Sequence, residues 1–108
     1  MAGGSVAAAR RLAAALTPTT APTISGTARV GGALTVQPGV WSPQPSRYAT
    51  VWLRCNANGR LCVSIAGATK ATYRPTAADT GHTLVAAVTA SSGGTTQSAL
   101  TAATAPIT

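Results

Sequence analysis

The chain has 108 residues, enough for one domain of ordinary size and no more. Charged residues make up 8% of it, against about a quarter in a typical soluble protein. Eight are Lys or Arg and one is acidic, for a formal net charge of +7; this excludes chemistry that needs paired carboxylates and calcium sites that need several.

Residues 1–16 contain Arg10-Arg11 and the apolar stretch Leu12–Leu16. That stretch is too short for the apolar region of a signal peptide. Ala-rich Ala7–Leu16 favours a short helix, marginal in isolation, so the N-terminal extension 1–16 is expected to be helical or disordered. Ala2-Gly3-Gly4-Ser5 resembles Ser92-Gly93-Gly94-Thr95, and Thr20-Ala21-Pro22 recurs as Thr104-Ala105-Pro106, at offsets of 90 and 84 residues. Two readings stand: residues 1–16 are the tail of a preceding module in a tandem array, or the matches reflect composition alone. Residues 17–22, with two prolines and three threonines, read as a linker. The folded domain is expected over residues 23–108.

Short strands and turn signals then alternate. The expected strands are Thr23–Ser25, Ala33–Gln37, Tyr48–Cys55, Cys62–Ile65, Ala71–Arg74, Thr83–Ala90 and Thr95–Ala103. Leu34 and Val36 share one face of the second, and Leu84, Ala86, Val88 and Ala90 share one face of the sixth. Trp41–Pro45 reads as a loop. Tyr48–Cys55 carries apolar residues on both faces, which fits a strand covered on both sides or a partner module. Hydrophobic residues are 45% but aromatics only 4%, with no Phe. The core must therefore be aliphatic around a few rings, with Leu34, Val36, Trp52, Tyr73, Leu84 and Val88 as its candidates. About seven strands in this length predict an all-β, antiparallel Ig-like sandwich. No run approaches the roughly 18 apolar residues of a membrane span.

Cys55 and Cys62 flank Asn56–Leu61, with Asn58-Gly59 as a tight-turn signal. The spacing suits a disulfide across a hairpin. A metal site would need more ligands than His82 can add, and a redox pair usually has two intervening residues. Asp79 and His82 lie in one turn, and no nucleophile elbow accompanies them. Asp79 reads instead as an acceptor of backbone N–H groups, and His82 as a cap on a strand end. No catalytic residue, cofactor or metal ligand is expected. Trp41, with Tyr48 nearby, is the candidate ligand contact: an exposed Trp could stack on a sugar ring, and a buried one would not. Arg29, Arg47, Arg54, Arg60, Lys70 and Arg74 are scattered along the chain. No specific nucleic-acid partner is therefore expected, although acidic polymers would be attracted.

Three stretches carry a family resemblance: PTISGTARVGGALTVQPGVWS, YATVWLRCNANGRLCVSIAGAT and ATYRPTAADTGHTLVAAVTAS. They resemble the bacterial Ig-like repeats found in tandem on secreted and cell-surface proteins. The resemblance implies a spacer or adhesion role at the cell surface or outside the cell, with neighbouring modules, a glycan or a protein as partners. Carbohydrate or polyanion binding is the alternative. It also implies that Trp52 is the core Trp of the third strand, that Cys55 and Cys62 form the family's local disulfide, and that Asp79-x-Gly81 is the turn before the penultimate strand. Thr83 stands where antibody-type domains have a tyrosine, and Pro75 and Val85 depart from the pattern.

Overall fold

The computed structural model describes residues 16–108. Nine strands follow in chain order: β1 (Thr17–Thr20), β2 (Thr23–Gly26), β3 (Leu34–Gln37), β4 (Val40–Ser42), β5 (Arg47–Cys55), β6 (Val63–Ser64), β7 (Thr72–Tyr73), β8 (Thr83–Ser92) and β9 (Thr95–Leu100). A single 3-10 turn, Ala77–Asp79, is the one helical element among the described residues. All pairings between the strands are antiparallel. The protein is an all-β sandwich, and the expected N-terminal extension and the helix within it lie outside the described residues, Leu16 excepted.

The first layer is a hairpin interrupted by proline. β1 pairs with β4, and β2 with β3, which also pairs with β7. Thr20↔Val40 and Thr23↔Gln37 keep one register, so Pro22 and Pro38 face each other. Neither carries an N–H, so the ladder lapses there and then resumes. Gly39 lies beside this point with φ +83°, and a Cβ on it would sit 2.2 Å from the Thr20 carbonyl oxygen. A side chain is therefore excluded by both conformation and space. Along β4 the ordinary strand alternation turns Trp41 inward and leaves Val40 and Ser42 outside, while β1 carries an irregularity between Pro18 and Thr20.

This corrects two expectations. Residues 17–20 of the supposed linker form a paired strand, and Leu16 before them is 4% exposed, within the core. Trp41 and Ser42, the start of the supposed loop, belong with Val40 to that strand's partner.

The second layer has the order β6-β5-β8-β9. β5 and β8 pair without interruption from Arg47↔Ser91 to Cys55↔Thr83. On the inward face, Ala86 lies opposite Trp52 and Ala90 opposite Tyr48; small residues there leave room for the rings. Leu34, Val36 and Trp41 from the first layer meet Trp52, Leu84, Ala86, Val88 and Ala90 from the second in one core. The Trp52 and Tyr73 rings stack across the layers with centroids 5.5 Å apart. Trp52 is fully buried, and its indole N–H donates to the Lys70 carbonyl at 2.7 Å.

Beyond β9 the chain continues along β8 with a wider stride. Thr101 N–H donates to Ala86 O, Thr104 N–H to Leu84 O and Ile107 N–H to His82 O, each at 2.9 Å. Three residues of this segment thus pass every two of β8. The return bonds come from side chains: Thr101 Oγ1 accepts from Ala86 N–H at 3.0 Å and Thr104 Oγ1 from Leu84 N–H at 3.1 Å. The hydroxyls replace carbonyls that the irregular stride has carried out of reach, so buried donors stay satisfied. Ile107 closes the core at 1% exposure.

The described chain enters and leaves at opposite ends of the sandwich. Thr17 pairs with Ser42. Shortly after it, Ser46 bonds to the Ser91 carbonyl through both its N–H and its hydroxyl. Thr108 is held by Ala28 and Val30, and Ile107 O accepts from Gly81 N–H at 2.8 Å. Gly81 precedes β8 and Ser91 lies near its far end, about 30 Å away at the rise of an extended strand.

Candidate functional site

The one carboxylate of the chain lies at the centre of its most extensive side-chain network. Asp79 sits at the end of the 3-10 turn and is fully buried. Its Oδ1 accepts from Arg54 Nε at 2.6 Å. Its Oδ2 accepts from the Tyr73 hydroxyl at 2.6 Å and from Thr76 N–H at 2.8 Å. The Thr76 contact is the backward arm of a capping arrangement: a side chain three residues on returns to the N–H before the turn.

Each partner is placed by its strand. Arg54 shares the inward face of β5 with Trp52, and Tyr73 leaves β7 stacked on Trp52. Burial pushes the Asp79 carboxyl up, but the hydrogen bonds from Tyr73, Thr76 and Arg54 outweigh it and hold it below the ordinary aspartate range. The hydrogen bond to Asp79 chiefly raises the Arg54 guanidinium, and burial with the same carboxylate raises the Tyr73 phenol. Both carboxylate oxygens of Asp79 are thereby engaged by the protein itself.

Cys55 and Cys62 form a disulfide. The loop between them turns one residue earlier than Asn58-Gly59 alone predicts, with Ala57-Asn58 at its centre. Gly59 N–H donates to Asn56 O at 2.9 Å, while Asn56 Oδ1 accepts from the N–H groups of Asn58 and Arg60, both at 2.9 Å. Asn in first and Gly in fourth position are the preferences of a type I turn, with the Asn side chain bracing it. β6 therefore pairs with β5 over two positions only, Leu53↔Ser64 and Arg54↔Val63. His82 places Nδ1 3.0 Å from the Cys55 carbonyl oxygen. It meets Asp79 through the backbone, His82 N–H donating to Asp79 O. Thr83, 3% exposed, donates its hydroxyl to Asn56 O at 2.8 Å. Gly81 takes φ +82° in the turn before β8, a conformation suited to glycine.

The sugar-stacking reading of Trp41 is corrected by its burial. The residue is 3% exposed, and its indole N–H donates to the Pro38 carbonyl at 2.8 Å. Pairing of β4 with β1 turns the ring into the core, so it has no face to offer a ligand. Tyr48 remains 36% exposed. Among the described residues, no group of three or more His, Cys, Asp or Glu could hold a metal ion, and no helix is long and apolar enough to cross a membrane.

The two outward faces differ in chemistry. On the first layer, Thr23, Ser25, Thr35, Gln37 and Thr72 form a hydroxyl-rich surface, with Thr35 and Thr72 oxygens 3.4 Å apart. On the second, Val51, Leu53, Val85 and Ala87 face away from the core, with Leu100 at the rim 64% exposed. The double apolar pattern of β5 arises here: Trp52 faces the core, and Val51 and Leu53 face out.

The cations do not converge as a group. Arg54 is committed to Asp79. Arg47 begins β5, and Arg60 lies in the loop beyond its far end. Arg74 Nη1 donates to Gly31 O at 3.2 Å, which brings β7 to the turn that carries Arg29. A pocket of about 210 Å³ beside β7 is lined by Lys70, Arg74, Thr69, Thr72 and Tyr73 among others. Neither this pocket nor the Arg54–Asp79 pairing was legible in the spacing of the basic residues.

Compared with known protein families and with curated proteins, the chain matches no family model and no curated protein.

Proposed function

We propose that this chain is a non-catalytic Ig-like module that acts as a structural spacer or adhesion unit of a secreted or cell-surface protein. The observation that carries this reading is the entry and exit of the chain at opposite ends of the sandwich. The entry is held by the β1–β4 pairing, and the exit by Ile107 and Thr108. Modules with that geometry extend when joined head to tail, because each adds its own length. The disulfide supports an oxidising compartment. The occupied carboxylate of Asp79 and the backbone engagement of His82 support a role without catalysis.

Small-angle scattering of two copies of residues 16–108 joined head to tail tests the spacer role. The maximum dimension is expected to approach twice that of one copy. A two-copy chain little longer than one, with the copies folded side by side, would reject it.

A further inference from the structure

We infer that the β7 edge of the sandwich binds a flexible linear polyanion through Lys70 and Arg74. The ligand class is a polymer of repeating phosphate or carboxylate groups without aromatic rings. The inference is independent of the spacer role, since it rests on the cations that line the β7 pocket and not on where the described chain enters and leaves the sandwich.

The electrostatics set the class of ligand. The one acidic side chain of the protein is buried and paired with Arg54. No acidic side chain reaches the surface, while Arg29, Arg47, Arg60, Lys70 and Arg74 all do. An approaching anion therefore meets no side-chain repulsion from any direction, and local clustering decides where it stays.

The clustering is at β7. Lys70 and Arg74 line the same pocket of about 210 Å³, with Thr72 between them in the chain and Thr69 beside Lys70. β7 is the outer strand of its layer, paired on one side only, with β3. Arg74 uses Nη1 on Gly31 O, which fixes the guanidinium against the 27–32 turn and leaves its other N–H groups for a ligand. That turn also carries Arg29, so a third cation stands beyond the Arg74 end of the pocket. Cations interleaved with hydroxyls along an extended edge suit a chain of regularly spaced anions rather than one isolated ion.

The aromatic residues argue against single-stranded nucleic acid. Trp41 and Trp52 are buried, Tyr73 is stacked on Trp52, and Tyr48 lies at the Ser91 end of β5. Tyr73 lines the pocket but is half-buried, with its ring on Trp52 and its hydroxyl on Asp79, so no freely exposed ring stands beside Lys70 and Arg74 for bases to stack on, and stacking is the usual complement to charge in binding single strands.

The test uses fluorescence anisotropy with two labelled probes, long-chain inorganic polyphosphate and polygalacturonate, at low and moderate salt. Wild type is compared with the Lys70→Ala/Arg74→Ala double variant and with Arg47→Ala/Arg60→Ala, which removes the same charge elsewhere. The first double is expected to weaken binding about tenfold and to lower the log–log salt slope by about 1.5, the second to change affinity less than about twofold. The ratio of the two affinities assigns the site to phosphate or carboxylate. All four side chains are exposed, and circular dichroism checks the fold; Lys70→Gln/Arg74→Gln serves if the alanine double unfolds. Equal losses in the two doubles would overturn the site in favour of diffuse attraction. So would absence of binding by wild type at low salt, or binding of oligo(dT) more than about tenfold tighter than polyphosphate of equal charge.

Discussion

Asp79→Asn isolates the contribution of the buried carboxylate. The substitution keeps the shape but turns one acceptor oxygen into a donor NH2. Oδ1 now faces Arg54 Nε, and Oδ2 faces the Tyr73 hydroxyl and Thr76 N–H. Whichever way the amide turns, a donor is set against a donor, and Arg54 loses its counter-ion. Removing one partner of a buried pair is destabilising by about 3–5 kcal/mol. Arg54 is 27% exposed, so water can solvate part of the freed charge, and about 3 kcal/mol is the expected loss.

Urea unfolding followed by Trp fluorescence at pH 7 measures it. With a slope of about 1.5 kcal/mol per molar, the midpoint should fall by about 2 M. The pH dependence gives a second readout. Asp79 is held below its ordinary value of 3.8 in the folded state. Its stabilisation is thus present above that value and lost as pH falls toward and through the lowered one. The gap between wild type and variant should therefore narrow as pH drops below about 4. A variant within about 0.5 kcal/mol of wild type at pH 7 would refute this account of the network. So would a gap of constant size from pH 5 to pH 2.

Three further outcomes are expected. Trp41→Ala should destabilise by about 3–5 kcal/mol in the same urea assay, whereas a change under about 0.5 kcal/mol would mean the ring is at the surface. Reduction of Cys55–Cys62 should remove about 2.5 kcal/mol, from the entropy of an eight-residue loop, read as a lower melting temperature in dithiothreitol; an unchanged melt would contradict it. Thr101→Val keeps the shape of the side chain but strips Ala86 N–H of its acceptor. A loss of about 1–3 kcal/mol is expected, together with faster hydrogen exchange at the Ala86 amide, and an unaltered exchange rate would show that another acceptor serves it.

Much of the sandwich was legible from local pattern, and the remainder depended on contacts distant in sequence. Alternating apolar residues marked β3 and β8 directly. β1 and β4 were missed for one reason: prolines at 18 and 22 resemble linker chemistry, and those at 38, 43 and 45 resemble a break and a loop. Only the facing of Pro22 and Pro38 in a shared register shows how paired strands tolerate them. The loss of β4 as a strand then hid the direction of Trp41. The Asp79 turn could be read locally, but its partners lie 25 and 6 residues away along the chain. A signal for Arg54 existed all the same: it shares a face with Trp52, an inward cation needs a counter-ion, and the chain has only one acid. The Thr101 and Thr104 roles had no such signal, because they arise from the mismatched stride of the terminal segment against β8.

The proposed spacer role requires a module that carries load from end to end as one cooperative unit. Pulling on residues 17 and 108 in a single-molecule force experiment tests this most directly. One rupture per module is predicted, with a contour gain of roughly 25–30 nm, increased by about 2 nm when the disulfide is reduced and its enclosed loop is freed. Detachment of β1 or of the terminal segment at low force, before the sandwich opens, would contradict it.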